Sequence, residues 1–249
     1  MFKKEKKDSS KTIVVYWSSA SGFNKQDYAA LFSHEPVPIV KTLPQRDDEF
    51  DHNIGFISCR AMLNLFKNTY VINNPVTSTA KLYNTDKMVP DCDDGGMGYW
   101  SPMEKPFENR LRVDLGFGYI FFAEEDLEIK MLPPFMHKVK SAETSWVAPG
   151  AYNIGKWFRP MIPSYMLWEN ETEVSIVKDE PSFYVQFDTN KKVILKRFEF
   201  TNEMQHLINE LMWLRDRNSI ASLEFLYSVF IKSFRHKKVL KLIKDNLLE

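Results

Sequence analysis

The sequence predicts an α+β fold: an antiparallel β-sandwich or jelly-roll-like barrel followed by a C-terminal helical pair. Three observations predict it. Short apolar segments recur at roughly ten-residue intervals from Leu111 to Phe200, separated by Gly, Pro, Asp and Asn, as in sandwiches and barrels. Beyond Phe200 the apolar period changes to that of a helix. The chain also holds 19 Phe, 10 Tyr and 6 Trp, more aromatic side chains than a helix bundle needs and well suited to half-buried strands.

Taken in order, residues 1–11 form a basic tail, residues 12–200 a β-rich core domain, and residues 201–249 the helical pair, packed on the core or extending from it. In the tail, Lys3, Lys4, Lys6, Lys7 and Lys11 outnumber Glu5 and Asp8, the pattern of a solvated segment. "TIVVYWSS" (12–19) is a β-branched and aromatic run of strand length. "EPVPIVKTLP" alternates proline with apolar residues and reads as extended, edge-like chain. Cys59, Met62, Leu63 and Phe66 fall at i, i+3, i+4 and i+7, a short helix with one apolar face and Ser58 as its N-cap. A strand follows in "NTYVINNPV". In "LGFGY" (115–119) two glycines inside a strand pattern predict a bulge or a close backbone approach. "TEVSIVKD" alternates cleanly, with Val174 and Ile176 on one face and Glu173 and Ser175 on the other. Met204, Leu207, Leu211 and Leu214 share a helical face, with Asn202 as N-cap and Gln205 three residues on. A second, longer helix is expected from near Ser219 to Leu247, with Leu226, Phe230, Phe234, Leu240 and Ile243 among its apolar positions.

Charge confines any nucleic-acid or membrane contact to a local patch. Lys plus Arg and Asp plus Glu each total 33, so no global field draws the chain to nucleic acid or membrane. Two scattered cysteines, Cys59 and Cys92, suit a reducing compartment. The charged N-terminus does not read as a signal peptide, and no run approaches the ~20 apolar residues of a membrane span. The sequon at Asn170–Thr172 would matter only in a secreted protein.

The chemistry-bearing motifs are sparse. The five histidines, His34, His52, His137, His206 and His236, form no HxH, HxxH or HxD pair, and neither cysteine has a CxxC partner, so no metal or other cofactor is expected. In "DCDDGG", Asp91, Asp93 and Asp94 resemble the start of a Ca²⁺ loop but lack the closing Glu, which leaves an acidic turn. No nucleophile elbow or phosphate loop occurs, and Cys59 reads as a buried structural thiol. The strongest partner signal is "KSFRHKKVLKLIK". There Lys232, Arg235, Lys237, Lys238 and Lys241 either touch nucleic acid or another anionic surface, or form the solvated face of a packed helix. The densest stretch is "PGAYNIGKWFRP" (149–160). Its Arg159 either stacks on Trp157 and meets a ligand, or locks the loop onto the core. Lys156, Trp157, Arg159, Tyr184 and Arg197 are the candidate ligand-binding residues, because they mix charge with aromatic faces near one predicted turn.

"GAYNIGKWFRP", "DEPSFYVQFDTNKKVILKRFEF" (179–200) and "KNTYVINNPV" (67–76) resemble a family of uncharacterised conserved proteins of tailed bacteriophages of the marine and cyanophage type, which carry a similar Lys-Trp-Phe-Arg-Pro block. The likeness spans roughly residues 55 to 215. At Asn153 the chain departs from the acidic residue more common in that family. The strands around Gln186 are also similar in pattern to the closing strands of dUTPase and dCTP-deaminase barrels, without their phosphate motif, so this second likeness implies a barrel and not nucleotide hydrolysis. The phage resemblance implies an accessory protein of the host cell cytoplasm. It is expected to act by binding a host or phage protein, with nucleic acid as a further partner through the basic helix. The competing expectations are an oxygenase-like or nucleotide-modifying enzyme with a pocket in the barrel mouth, and a virion structural component.

Overall fold

The computed structural model describes residues 11–21, 34–43, 59–82, 90–92, 100–107, 110–115, 117–169, 171 and 173–248. The expectations placed on residues 1–10, Ser58, Asp93, Asp94, Asn170 and Thr172 lie outside them. The described strands are β1 (Thr12–Ser21), β2 (Val37–Pro38), β3 (Thr69–Asn73), β4 (Ser78–Leu82), β5 (Pro90–Cys92), β6 (Trp100–Phe107), β7 (Arg110–Leu115), β8 (Phe117–Ala123), β9 (Glu128–Leu132), β10 (Ser145–Val147), β11 (Gly150–Asn153), β12 (Pro160–Met161), β13 (Ser164–Leu167), β14 (Glu173–Ile176), β15 (Pro181–Phe187) and β16 (Lys192–Arg197). The helices are α1 (Arg60–Phe66), α2 (Asn202–Arg217), α3 (Leu223–Lys232) and α4 (Phe234–Asp245).

Four sheets result, of strand order β12-β8-β1-β16, β11-β9-β15-β3-β2, β10-β13-β7-β6 and β14-β4-β5. Every pairing is antiparallel except β1 with β16, which joins two ends of the described chain side by side. The fold is therefore α+β, largely antiparallel, with helices at the C-terminal end, and none of the described sheets closes into a barrel. β16, the last described strand, returns to β1, and among the described residues its outer edge receives the C-terminal segment rather than a strand of another sheet.

Alternation along β8 explains where the core sits. Tyr119 and Phe121 project from one face and meet Phe183 and Phe187 of β15 edge-to-face, at centroid distances of 6.5 and 5.6 Å. Phe122 projects from the other face and meets Phe158, Phe230 of α3 and His236 of α4. The outward face of β15 carries Tyr184, which packs with Ile39, Leu43, Phe66 and Val71 in a second apolar cluster under α1. The close approach expected near "LGFGY" is real at Gly118, where a Cβ would lie 2.5 Å from the Met161 carbonyl oxygen. At Gly155 a Cβ would run into the Glu125 carbonyl.

Several local expectations are corrected. Cys59 is exposed at the N-cap position of α1, because only the Phe66 end of that helix is buried; Leu63 also faces solvent. Thr201, not Asn202, caps α2, its side chain accepting from Met204 N–H. The long second helix is two helices. Ser233 is extended (φ −83°, ψ 158°), donates its hydroxyl to the Phe230 carbonyl, and caps α4 by accepting from Arg235 N–H. The break turns Val239 and Ile243 into the core and leaves Phe234 88% exposed.

Candidate functional site

β1 places Trp17 on the face it shares with Val15, and parallel register sets Arg197 directly beside it. The guanidinium lies over the indole, 5.3 Å from its centroid, the geometry of a cation–π contact. A short segment brings a carboxylate to this pair. The Tyr119 hydroxyl donates to the His34 carbonyl (2.9 Å) and His34 Nε2 meets Asp179 Oδ1 (2.7 Å). Glu35 is thereby held with Oε1 3.9 Å from Arg197 Nη1. Asp179 takes a left-handed φ of 69° in the turn that reaches His34, a conformation Asp tolerates better than most residues. On the third side the C-terminal segment pairs with the end of β16. Leu248 N–H donates to the Arg197 carbonyl and Glu199 N–H to the Asn246 carbonyl, both at 2.9 Å.

These elements enclose an open cleft of about 620 Å³. Trp17, Leu195, Leu247, Leu248 and Pro36 supply apolar walls, and Glu35, Lys196 and Arg197 supply charge. Such a lining is suited to apolar contact and ion pairing. Among the described residues no three His, Cys, Asp or Glu side chains converge as a metal would require.

A second polar centre is buried under α1. The Tyr184 hydroxyl accepts from Met136 N–H (3.1 Å), so its own proton is directed at His137 Nδ1, 2.5 Å away. That arrangement assigns the ring proton to Nε2, which is buried and meets no hydrogen-bond partner of good geometry among the described residues, the Thr42 backbone lying nearest in effect. Burial raises the Tyr184 pKa to about 12, and burial lowers that of His137, with the backbone of Thr42 partly opposing. The pair fastens the 133–137 loop to β15. Gln186, next but one, is also structural, donating to the Leu65 carbonyl (2.6 Å) and Thr69 Oγ1 (3.2 Å).

The five candidate ligand residues do not form one site. Trp157 is 2% exposed and packs edge-on against Phe230. Lys156 pairs with Asp126, and Arg159 lies over the Tyr152 ring at 5.2 Å while its Nε donates to the Pro160 carbonyl. β12, which follows Arg159, and β16, which carries Arg197, are opposite edges of the same sheet. Tyr184 is fully buried on another sheet. Only Arg197 reaches the cleft. In the basic helix, Arg235 pairs with Glu210 (3.0 Å) and Lys238 with Glu203 (2.7 Å), both acids coming from α2, while Lys232, Lys237 and Lys241 are exposed.

Sequence reasoning missed Trp17, Glu35 and Leu248. Alternation in "TIVVYWSS" places Trp17 on a face with Val15, but only the parallel return of β16 puts Arg197 beside it. No protein-family model matches the chain, and no match is found among curated proteins or solved structures.

Proposed function

We propose that the chain is a non-enzymatic binding protein whose ligand seats in the Trp17–Arg197 cleft. The observation that carries this reading is the guanidinium lying over the Trp17 indole on the wall of an open, partly apolar cleft beside Glu35. A stacked cation is already oriented, so less side-chain freedom is lost when a ligand docks on it. The aromatic contacts between β8 and β15 favour a β-sandwich with jelly-roll-like character as the scaffold behind it. Likeness of the Lys-Trp-Phe-Arg-Pro block to phage proteins supports an accessory role in the cytoplasm of an infected cell, with a host or phage protein as the partner.

The test is affinity capture from infected-cell extract on immobilised wild-type protein and on Arg197→Ala, both verified as folded by melting temperature. A partner held by the wild type and lost by the variant supports the reading. Identical capture by the two proteins overturns it.

A further inference from the structure

Backbone parity along β16 identifies what kind of ligand this corner of the fold takes. Lys192 N–H donates to the Lys11 carbonyl and Phe198 N–H to the Trp17 carbonyl, each at 3.0 Å. The even-numbered residues of β16 therefore turn their peptide groups toward β1, and Val193, Leu195 and Arg197 turn theirs toward the opposite edge. β16 is the terminal strand of its sheet. Arg197 shows that the outer groups are competent, since its carbonyl accepts from Leu248 N–H in an antiparallel bridge around Phe198 and Leu247. Among the described residues no backbone bond continues that ladder to Leu195 or Val193. Leu195 and Lys196 instead line the cleft.

We infer that this edge of β16 takes an extended acidic peptide as an added antiparallel strand, an inference that rests on the binding reading above. The incoming strand continues the ladder that Asn246–Leu248 begins, with Leu195 and Val193 supplying its main-chain hydrogen bonds. Residues opposite one another in an antiparallel pair share a face, so the strand's chemistry follows from that of β16. On one face Lys192 and Lys196 are exposed on either side of Ile194, and neither has a carboxylate within ion-pair distance among the described residues. On the other face Val193 and Leu195 are apolar, with Leu195 opening into the cleft. An extended segment alternating acidic and β-branched apolar residues matches both faces. A nucleic acid matches neither the apolar face nor the ladder.

The probe is a fluorescein-labelled peptide of alternating valine and glutamate, read by fluorescence anisotropy against the full chain, with alternating valine and lysine as the charge control. Saturable binding of the glutamate peptide, at least tenfold tighter than the lysine peptide, is expected. Leu195→Pro removes an edge-facing N–H that β1 does not use and trims a side chain packed against the core, so the fold is kept at a lowered melting temperature and binding falls at least tenfold. Should that variant unfold, peptides N-methylated on alternate residues replace it: methyls on one parity abolish binding and on the other leave it intact. Equal binding of the two peptides, or insensitivity to N-methylation on both parities, overturns the inference. If the partner captured by wild-type protein is lost with Arg197→Ala while the glutamate peptide shows no saturable binding, the edge inference fails and the binding reading stands. Loss of neither partner nor peptide binding with Arg197→Ala fails the cleft reading alone.

Discussion

Around Trp157 the chain places Lys156 and Arg159; around Trp17 it places Lys196 and Arg197. Both indoles are buried, Trp157 at 2% and Trp17 at 4% exposed, and the difference lies in what surrounds the cation beside each. Trp157 is covered by Phe230 of α3, Lys156 is tied to Asp126, and Arg159 lies on Tyr152 against its own loop. Trp17 packs on Tyr119 beneath its arginine, and the Arg197 side of the pair lines the cleft. What separates core from site is thus the element that arrives on top, not the local composition. α3 and α4 cover the face bearing Phe122, and among the described residues the edge bearing Arg197 receives a short C-terminal bridge.

The sharpest way to break this contrast is Trp157→Ala. Truncating a buried aromatic costs about 3–5 kcal/mol, and Phe230 loses its edge-on partner as well. For a chain of this size each kcal/mol lowers the melting temperature by about 2–4 °C, so a drop of about 6–20 °C is expected in thermal denaturation. If Trp157→Ala melts like wild type, the loop is not held by its core contact.

Tyr184→Phe comes next. It leaves Met136 N–H and His137 Nδ1 without their shared partner under α1, at a cost of about 1–3 kcal/mol. The same centre makes stability depend on pH. The folded-state pKa of His137 lies below its ordinary 6.5, because burial disfavours the imidazolium. Above 6.5 the ring is neutral whether the chain is folded or not, and its contribution is complete. As pH falls through 6.5 the unfolded chain takes up the proton first, so stability declines until the folded-state pKa is passed. His137→Asn keeps an acceptor for Tyr184 and removes the titration, and is expected to flatten the melting temperature between pH 7 and 5.

How much of this could be read from sequence depends on whether partners are near in the chain. The strand of "TEVSIVKD" was legible because alternation is local, and Val174 and Ile176 are indeed buried. The extended edge expected across "EPVPIVKTLP" holds only at Val37–Pro38, because Ile39–Lys41 turns into a 3-10 helix that buries Ile39. Ser233 was not: its neighbours keep a helical apolar period across the break, and a serine that bonds backward to Phe230 and forward to Arg235 leaves no signature in periodicity. The cleft was legible only in Arg197. Trp17 and Glu35 come from distant segments joined to it by parallel pairing and by the Tyr119–His34 hydrogen bond.

Paired substitutions sharpen the contrast with smaller effects. Arg159→Ala and Arg197→Ala each remove one cation–π contact, worth about 0.5–1 kcal/mol at a half-exposed site. The two melting temperatures should fall alike, within a few degrees, while only Arg197→Ala loses the captured partner. Equal loss of partner in both variants would mean that the Arg159 loop also contributes to binding.

The smallest effect is expected in the basic helix. Arg235 and Lys238 are spent on Glu210 and Glu203, pairs that staple α4 to α2 at the solvent-exposed surface. Long side chains held in one geometry under screening solvent yield at most about 1 kcal/mol per pair, so Arg235→Ala should lower stability by no more than that, and by less as salt is added. Two of the five cations proposed for an anionic partner are thus neutralised before any partner arrives. Retention on heparin should accordingly be weak, and replacing Lys232, Lys237 and Lys241 together by Gln should leave the elution salt almost unchanged. A large fall in elution salt would show instead that this face, like the cleft, is open for binding.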